Sequence, residues 1–298
     1  MSYLKKVKDK GLITINQKFV VDQLQYECIM GSAAYGVANT DSDLDIYGFC
    51  IPNKDMIFPH LKGEILGFGD QIQRFEQFQC HHVIDKETGK EYDFSIFSIV
   101  KFFQLCMENN PNFLEMIHTP RNLITHSTKV GEMVRENRNQ FLSKRCWNKM
   151  KSYAFSQMHK MKNKNPLPGS KRYKDVQANG MDTKYLYHLV RLLSQAEQIL
   201  IEHDLDLQRS KEKLKAIRRG EWEPDDIEKY FMSREQELEK VYLNSTLRVK
   251  PDEKVIKQLL IDCLEEHFGS LGDCVVIQNQ TELIINELEE IVNKYRTC

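Results

Sequence analysis

The alternation of short apolar runs with turn residues predicts a sheet in the first part of the chain. The run from Gln25 stops before Gly31, and the run from Leu44 stops before Pro52, as strands commonly do at Gly and Pro. Residues 87–89 (Glu-Thr-Gly) predict a hairpin tip between two further runs. The predicted strands are Gln25–Met30, Leu44–Ile51, Phe75–Ile84 and Lys90–Phe94.

Helical spacing of the apolar residues begins at Ser95. Apolar positions from Ile96 to Met107 share one helical face, and Pro111 follows the end of that pattern. Longer amphipathic helices are predicted over Lys144–Lys162 and Asp182–Glu202. The fold class is therefore predicted to be α+β, with a catalytic domain over residues 1–140 and a helical domain over residues 141–298 that closes the cleft.

Composition narrows the class of protein. The chain has 298 residues, 41% of them hydrophobic and 29% charged, which is ordinary globular usage. Its eight Cys form no CxxC pair, which argues against a zinc ribbon and against a disulfide-stapled fold. No apolar run approaches the roughly 20 residues that span a bilayer. We expect a reduced, cytoplasmic protein with no membrane partner, and we leave its oligomeric state open.

The formal net charge of −1 hides two strongly charged stretches. Residues 141–174 hold ten Lys and Arg and no acid, whereas residues 251–298 hold ten acids and four bases. The basic stretch is either a solvated face or a groove for a polynucleotide, with Trp147, Tyr153 or Tyr173 available to stack on bases. The acidic stretch either packs over it or carries a partner site.

The most specific chemical signal is Gly31-Ser32 followed by Asp43-Leu44-Asp45-Ile46. Gly31 permits a tight turn after the first strand, and Ser32 then stands near a helix start, where a phosphate can bind. Asp43 and Asp45 are two residues apart, so a strand would place both carboxylates on one face and the apolar residues beside them in the core. The competing interpretation is a surface turn with solvated acids.

Two adjacent carboxylates repel each other unless a cation lies between them. Oxygen-only ligands select Mg²⁺ or Mn²⁺, and a phosphate turn beside paired acids is what metal-assisted nucleotidyl transfer requires. Asp93, between Tyr92 and Phe94, is the predicted third carboxylate, and Glu91 is a weaker candidate.

These residues resemble the signature of the DNA polymerase beta superfamily of nucleotidyltransferases. Further segments over roughly residues 25–255 resemble its RNA-repair branch, whose members are associated with RNA ligase. They are Tyr92-Asp93-Phe94, Asn110-Pro111-Asn112 with Glu115, Lys184…His188…Arg191-Leu192-Leu193 and Arg219-Gly220-Glu221-Trp222.

The resemblance implies a mixed sheet with flanking helices, Mg²⁺ ions, an NTP donor and release of pyrophosphate. Gly31 and Ser32 would bind the triphosphate, and Asp43, Asp45 and Asp93 would bind metal. The branch implies an RNA end as acceptor. One alternative is a protein or small-molecule hydroxyl as the acceptor. The other is a module that binds NTP or RNA without turnover.

One departure concerns the phosphate charge. Small superfamily members often carry Arg three residues after the Ser, where this chain has Tyr35. We therefore expect cations from the basic stretch or from Lys184, His188 and Arg191, which share the polar face of one predicted helix, to bind the phosphates.

Three further assignments concern polar residues on predicted helices and strands. Tyr153 and Gln157 are expected on the inward face of their helix, as core hydrogen-bond partners or as contacts to the nucleotide base. Glu115 is expected to cap a helix together with Asn112. The pair His81-His82 is expected to be structural, because alternation along a strand points His81 away from its neighbours.

Overall fold

A computed structural model describes residues 2–39, 42–71, 73–163, 166–222, 224–271 and 288. Its strands are β1 Leu24–Ile29, β2 Leu44–Cys50, β3 Gln77–Asp85, β4 Lys90–Ser98 and β5 Ile124–Ser127. They form one sheet in the order β3-β4-β2-β1-β5. β2 and β4 run parallel and the other neighbours antiparallel, so the expected mixed sheet is confirmed.

Helices pack on both faces of this sheet and make up most of the remaining described chain. Several begin at a residue whose side chain accepts backbone N–H bonds, for example Asp182, which accepts from Lys184 and Tyr185. The α-helices are α1 Tyr3–Asp9, α2 Phe19–Asp22, α3 Gly31–Ala34, α4 Lys54–Ile57, α5 Ile99–Met107, α6 Pro111–His118, α7 Lys129–Glu136, α8 Arg145–Asn163, α9 Lys171–Asn179, α10 Thr183–Glu202, α11 Lys211–Arg218, α12 Ile227–Asn244 and α13 Glu253–Phe268.

The predicted strands and long helices are confirmed, with one error at the end of β4. The prediction of a helix from Ser95 is wrong, because β4 continues to Ser98 and α5 begins at Ile99. The cause is pairing: Ser95–Ser98 lie beside Tyr47–Cys50 of β2, and this tertiary contact overrides the helical spacing. β5, which adds an edge strand beside β1, was not predicted.

The two faces of the sheet support separate clusters of apolar side chains. Ile46 and Phe94 belong to the smaller cluster, which packs against α1 and α2. Phe49 and Phe97 belong to the larger cluster, which includes residues of α5 to α8 and of α10 to α13, for example Trp147. Residues that alternate along β2 and β4 therefore face either the N-terminal helices or the large helical layer.

The larger cluster contains residues from both predicted domains, for example Tyr26 and Leu193, and the boundary at residue 140 stays a prediction. Within the described residues, none of the helices is long and apolar enough to cross a bilayer. Of the predicted acidic stretch, residues 272–287 and 289–298 lie outside the described part of the chain.

Candidate active site

Two of the three predicted acids are direct neighbours across the sheet. Asp45 of β2 is the register partner of Asp93 of β4. Adjacent strands lie about 4.8 Å apart, and register partners in a parallel pair point to the same face. Asp45 is two residues from Tyr47, which packs against the larger cluster, so both acids face the helical layer. Leu44 and Ile46 pack on the opposite face, as the sequence predicts.

The bend that carries Gly31 and Ser32 closes against Asp45. Gly31 has a φ of +61°, and a Cβ on it would stand 1.9 Å from Asp45 Oδ2. The backbone N–H of Met30 donates to the Asp45 carbonyl at 2.7 Å, which ties the end of β1 to β2. Only glycine permits this approach of the backbone to the carboxylate. Ser32 follows as a half-buried residue of α3.

The electrostatics of Asp45 are those of an acid short of positive charge. Its pKa is raised by burial first and then by the charge of Asp93, and Asp43 adds to the rise. Lys184 opposes the rise, so this ammonium group also lies within electrostatic reach. Asp43 is exposed just before β2. A carboxylate set with this excess of negative charge suits a hard divalent cation, which prefers oxygen ligands.

The third acid also contacts a bulge in the neighbouring strand. Asp93 Oδ1 accepts a 2.7 Å hydrogen bond from the backbone N–H of His82. In the described part of the chain, His82, Glu91 and Asp93 have metal-ligating atoms that all lie within 4.8 Å of one another. The three predicted acids, Asp43, Asp45 and Asp93, do not form such a group together among the described residues. His81 Nδ1 lies 3.7 Å from Asp93 Oδ1. The expectation that His81 points away is therefore wrong, because the bulge breaks the alternation.

Helix α10 carries the three predicted phosphate ligands, and the structure separates them. Lys184 is exposed in the first turn, near Asp45. Arg191 is buried, contrary to prediction, and forms an ion pair with Glu115. Its guanidinium also donates to the Tyr35 hydroxyl at 2.7 Å and lies over that ring at 4.3 Å. Because its charge is paired inside the protein, Arg191 belongs to the core rather than to an open cleft.

Glu115 is likewise not the cap that its spacing suggests. The N-cap of α6 is Asn110, whose side chain accepts from the N–H of Asn112. Glu115 is fully buried, and it accepts a 2.5 Å hydrogen bond from Tyr35. Tyr35, at the position where small superfamily members often have Arg, thus joins the pair of Glu115 and Arg191 instead of meeting a ligand.

His188 marks a cluster of cations. Its pKa is lowered to about 2, by burial first and then by Arg191, Lys184, Arg172 and Arg218. The imidazole is therefore neutral at physiological pH and supplies no positive charge. Arg172 belongs to the basic stretch that the sequence analysis offers as a source of phosphate-binding charge, whereas the sequence analysis does not predict Arg218. Because they come from α9 and α11, no local spacing indicates that they converge with Lys184 on α10.

The comparison with protein families agrees with this geometry. Residues 4–261 match the model of the RNA repair pathway DNA polymerase beta family. The chain belongs to this family. Membership supports a nucleotidyltransferase of the DNA polymerase beta type in RNA repair, which is the function class predicted from the Gly-Ser and Asp motifs.

Two individual matches are weaker than the family match. An uncharacterized 38.9 kDa protein in the nrdC-mobD intergenic region of Enterobacteria phage T4 is 26% identical over 125 residues, which cover 41% of this chain and 33% of that protein. The chain thus matches only about a third of that relative. A nucleotidyltransferase-like protein from Exiguobacterium sibiricum 255-15 aligns over 88% of this chain and 78% of its own, with a TM-score of 0.29 and 7% identity.

In this member of the family, the basic helix α8 differs from what the sequence predicts. Tyr153, expected on the inward face, is 44% exposed, and Gln157 is half-buried. Several cations pair with acids of α12: Lys151 Nζ lies 3.4 Å from Glu235, and Lys162 contacts Glu228. Acids of α12 therefore neutralise part of the positive surface that α8 presents.

Proposed function

We propose that the chain is a metal-dependent nucleotidyltransferase that transfers NMP from an NTP to an acceptor hydroxyl, with an RNA end as acceptor, and releases pyrophosphate. The observation that carries the proposal is the register of Asp45 beside Asp93, with the Gly31 bend against Asp45. Family membership supports the reaction class.

The donor set suits Mg²⁺ or Mn²⁺. Asp43, Asp45 and Asp93 offer carboxylate oxygens only, and the raised pKa of Asp45, due to burial and then to Asp93, is the mark of a set that lacks a counter-charge. A bound divalent ion would neutralise the triphosphate and polarise the α-phosphate. Asp45 and Asp93 are the residues that would hold it, and Asp43 would complete the set from the exposed end of β2.

The reaction requires one bond to form and one to break. The acceptor hydroxyl oxygen attacks the α-phosphorus in line with the bridging oxygen to the β-phosphate, and that bond breaks so that pyrophosphate leaves. Asp93 is the proposed group that takes or orients the hydroxyl proton, because it lies on β4, one strand nearer than Asp45 to the edge strand β3.

The phosphates require positive charge from the chain itself. Lys184, near Asp45, is the proposed ligand of the β- and γ-phosphates, and Arg172 and Arg218 are the further cations around His188. Gly31 and Ser32 are proposed to bind the triphosphate at the bend. Tyr153 and Gln157 stay predicted base contacts.

The test is label transfer from α-³²P-NTP in Mg²⁺ to RNA with a free 3′-hydroxyl. Loss of one metal carboxylate removes several kcal/mol of transition-state stabilisation, so Asp45→Asn should lower kcat/KM on the order of a thousandfold or more. Asp70→Asn, at an exposed loop position, is the matched control. Transfer by Asp45→Asn at the rate of the control would refute the assignment.

A second candidate keeps the chemistry and changes the acceptor. The pairing of α8 cations with α12 acids reduces the surface available to a polynucleotide and favours a protein or small-molecule hydroxyl. Incubation with labelled NTP and either total RNA or total protein distinguishes the two, by the fraction that becomes labelled in wild type and not in Asp45→Asn.

A further inference from the structure

A bulge in β3 brings two histidines to one carboxylate. Cys80 pairs with Phe94 and Val83 with Tyr92, so two residues of β3, His81 and His82, stand opposite Asp93 alone. His82 has a φ of +57°, a left-handed conformation that is uncommon for residues other than glycine. Bulges of this kind change the direction of side chains beside functional sites. Here the change directs both imidazoles toward β4.

The resulting cluster has the composition of a transition-metal site. His82 Nδ1, a Glu91 oxygen and an Asp93 oxygen lie within 4.8 Å of one another. His82 Nδ1 is 2.5 Å from Glu91 Oε1, and His81 Nδ1 is 3.7 Å from Asp93 Oδ1. Ligands of tetrahedral zinc, at bonds of 2.0–2.2 Å, are separated by about 3.3 Å. Small rotations of these side chains therefore suffice to bring their ligand atoms around one ion.

We propose that His82, Glu91 and Asp93, with His81 as the fourth ligand, bind a zinc ion. Imidazole nitrogen with carboxylate oxygen selects Zn²⁺ over Mg²⁺, which prefers oxygen alone. The four side chains are 25–80% exposed, so an ion reaches them directly from solvent. The proposal does not require nucleotidyl transfer. Where that transfer occurs, zinc and the proposed magnesium set compete for Asp93.

The pairing of His82 with Glu91 identifies which variants test the site. His82→Asn removes the imidazole and keeps a residue that tolerates the left-handed backbone, and Glu91→Gln keeps the shape of the side chain. Asp45→Asn alters the proposed magnesium set and leaves the four zinc ligands in place. His60→Ala removes an exposed histidine elsewhere, whose Nδ1 bonds to the Glu64 carbonyl.

Zinc affinity is measured on the full chain by competition with a chromophoric chelator, in the presence of excess Mg²⁺. We expect one equivalent of Zn²⁺ to bind the wild type, and His82→Asn and Glu91→Gln each to weaken binding about tenfold or more. His60→Ala should stay within about twofold of the wild type, and Asp45→Asn, which removes a neighbouring charge but no ligand, should weaken binding less than His82→Asn. Circular dichroism reports whether each variant is folded.

Two results of the chelator competition would overturn the proposal. One is a wild type that binds no Zn²⁺, and the other is a loss of binding in Asp45→Asn as large as in His82→Asn, which would place the ion at the other acids. Co²⁺ substitution of the wild type gives a measurement that needs no variant. A thiolate charge-transfer band would assign the ion to cysteine and refute the site, whereas visible d–d bands without it, together with zinc-dependent shifts of two histidine ring resonances, would support it.

Discussion

Glu115 and Asp45 are two acids of the same chain with opposite environments. Glu115 is fully buried, yet Arg191 and the Tyr35 hydroxyl compensate its charge. Asp45 is less buried, yet its nearest charged neighbours include Asp93 and Asp43, and the opposing cation is Lys184. The first acid is neutralised within the fold, and the second depends on something that binds. This difference separates a structural ion pair from a candidate active site.

The largest expected effect is on the compensated acid. Glu115→Ala leaves Arg191 as a buried charge without its partner, which costs about 3–5 kcal/mol of unfolding free energy. Urea denaturation followed by circular dichroism measures the loss. The matched control is Glu212→Ala on α11, whose 3.2 Å ion pair with Lys215 is exposed and is expected to contribute about 1 kcal/mol or less.

A double variant sharpens the same point. Glu115→Leu combined with Arg191→Met removes both charges together, so we expect it to be more stable than either single variant. If the double variant loses the sum of the two single losses, the two residues do not act as a pair, and the contrast with Asp45 fails.

The next effect concerns the bend beside Asp45. Gly31→Ala adds a Cβ 1.9 Å from Asp45 Oδ2 at a φ of +61°, so backbone strain and a clash act together. We expect a loss of about 1–3 kcal/mol in unfolding free energy, and loss of label transfer because Asp45 is displaced.

Gly89→Ala separates the two causes. Its φ of +67° is similar, but nothing lies within 4 Å of the added Cβ. We expect this control to lose about 1 kcal/mol of unfolding free energy through backbone strain alone, and to retain activity. Equal losses of stability and activity in the two variants would mean that the approach of Gly31 to Asp45 has no role.

Neutralising Asp45 is expected to stabilise the folded protein, whereas removing the charge of Glu115 is expected to destabilise it. The pKa of Asp45 in the folded protein is raised above 3.8 by burial and then by Asp93. The stability that this carboxyl group contributes is therefore fully present below about pH 3.8, and it is lost as the pH rises through the folded-state pKa. At pH 7 in chelator, Asp45→Asn should therefore stabilise the protein by about 0.5–2 kcal/mol.

That gain should disappear toward pH 3.8, where the wild-type carboxyl binds a proton in the folded protein. Thermal unfolding at several pH values measures it, with Asp70→Asn as the exposed control. A variant that is less stable than wild type at pH 7 would show that the Asp45 charge is already satisfied by the chain.

The contrast also explains how much the sequence could predict. Period-two alternation predicts which side chains share a strand face, because strand geometry follows from local pattern. That Asp45 and Asp93 are neighbours follows from the pairing of β2 with β4, and their roles in metal binding stay predictions. Arg191 was assigned to phosphate because its position on α10 is polar, and its partner Glu115 lies 76 residues away. The bulge at His81 and His82 was missed for the same reason, since it depends on pairing with β4 and leaves no periodic signal.

The smallest effect concerns the ion pairs between α8 and α12. Glu235→Gln removes a 3.4 Å contact to Lys151 that is partly exposed on both sides, and Glu239 remains 3.6 Å from the same ammonium group. The change should therefore cost about 1 kcal/mol or less. Its effect on charge is larger than its effect on stability. Because each neutralised acid adds one net positive charge to this surface, the variant should bind RNA more tightly than wild type at low salt, and the difference should vanish at high salt.

Glu212→Gln on α11 is the control for net charge alone. If Glu235→Gln and Glu212→Gln increase RNA binding equally, α8 is not the surface that contacts RNA, and a protein or small-molecule acceptor becomes the better hypothesis.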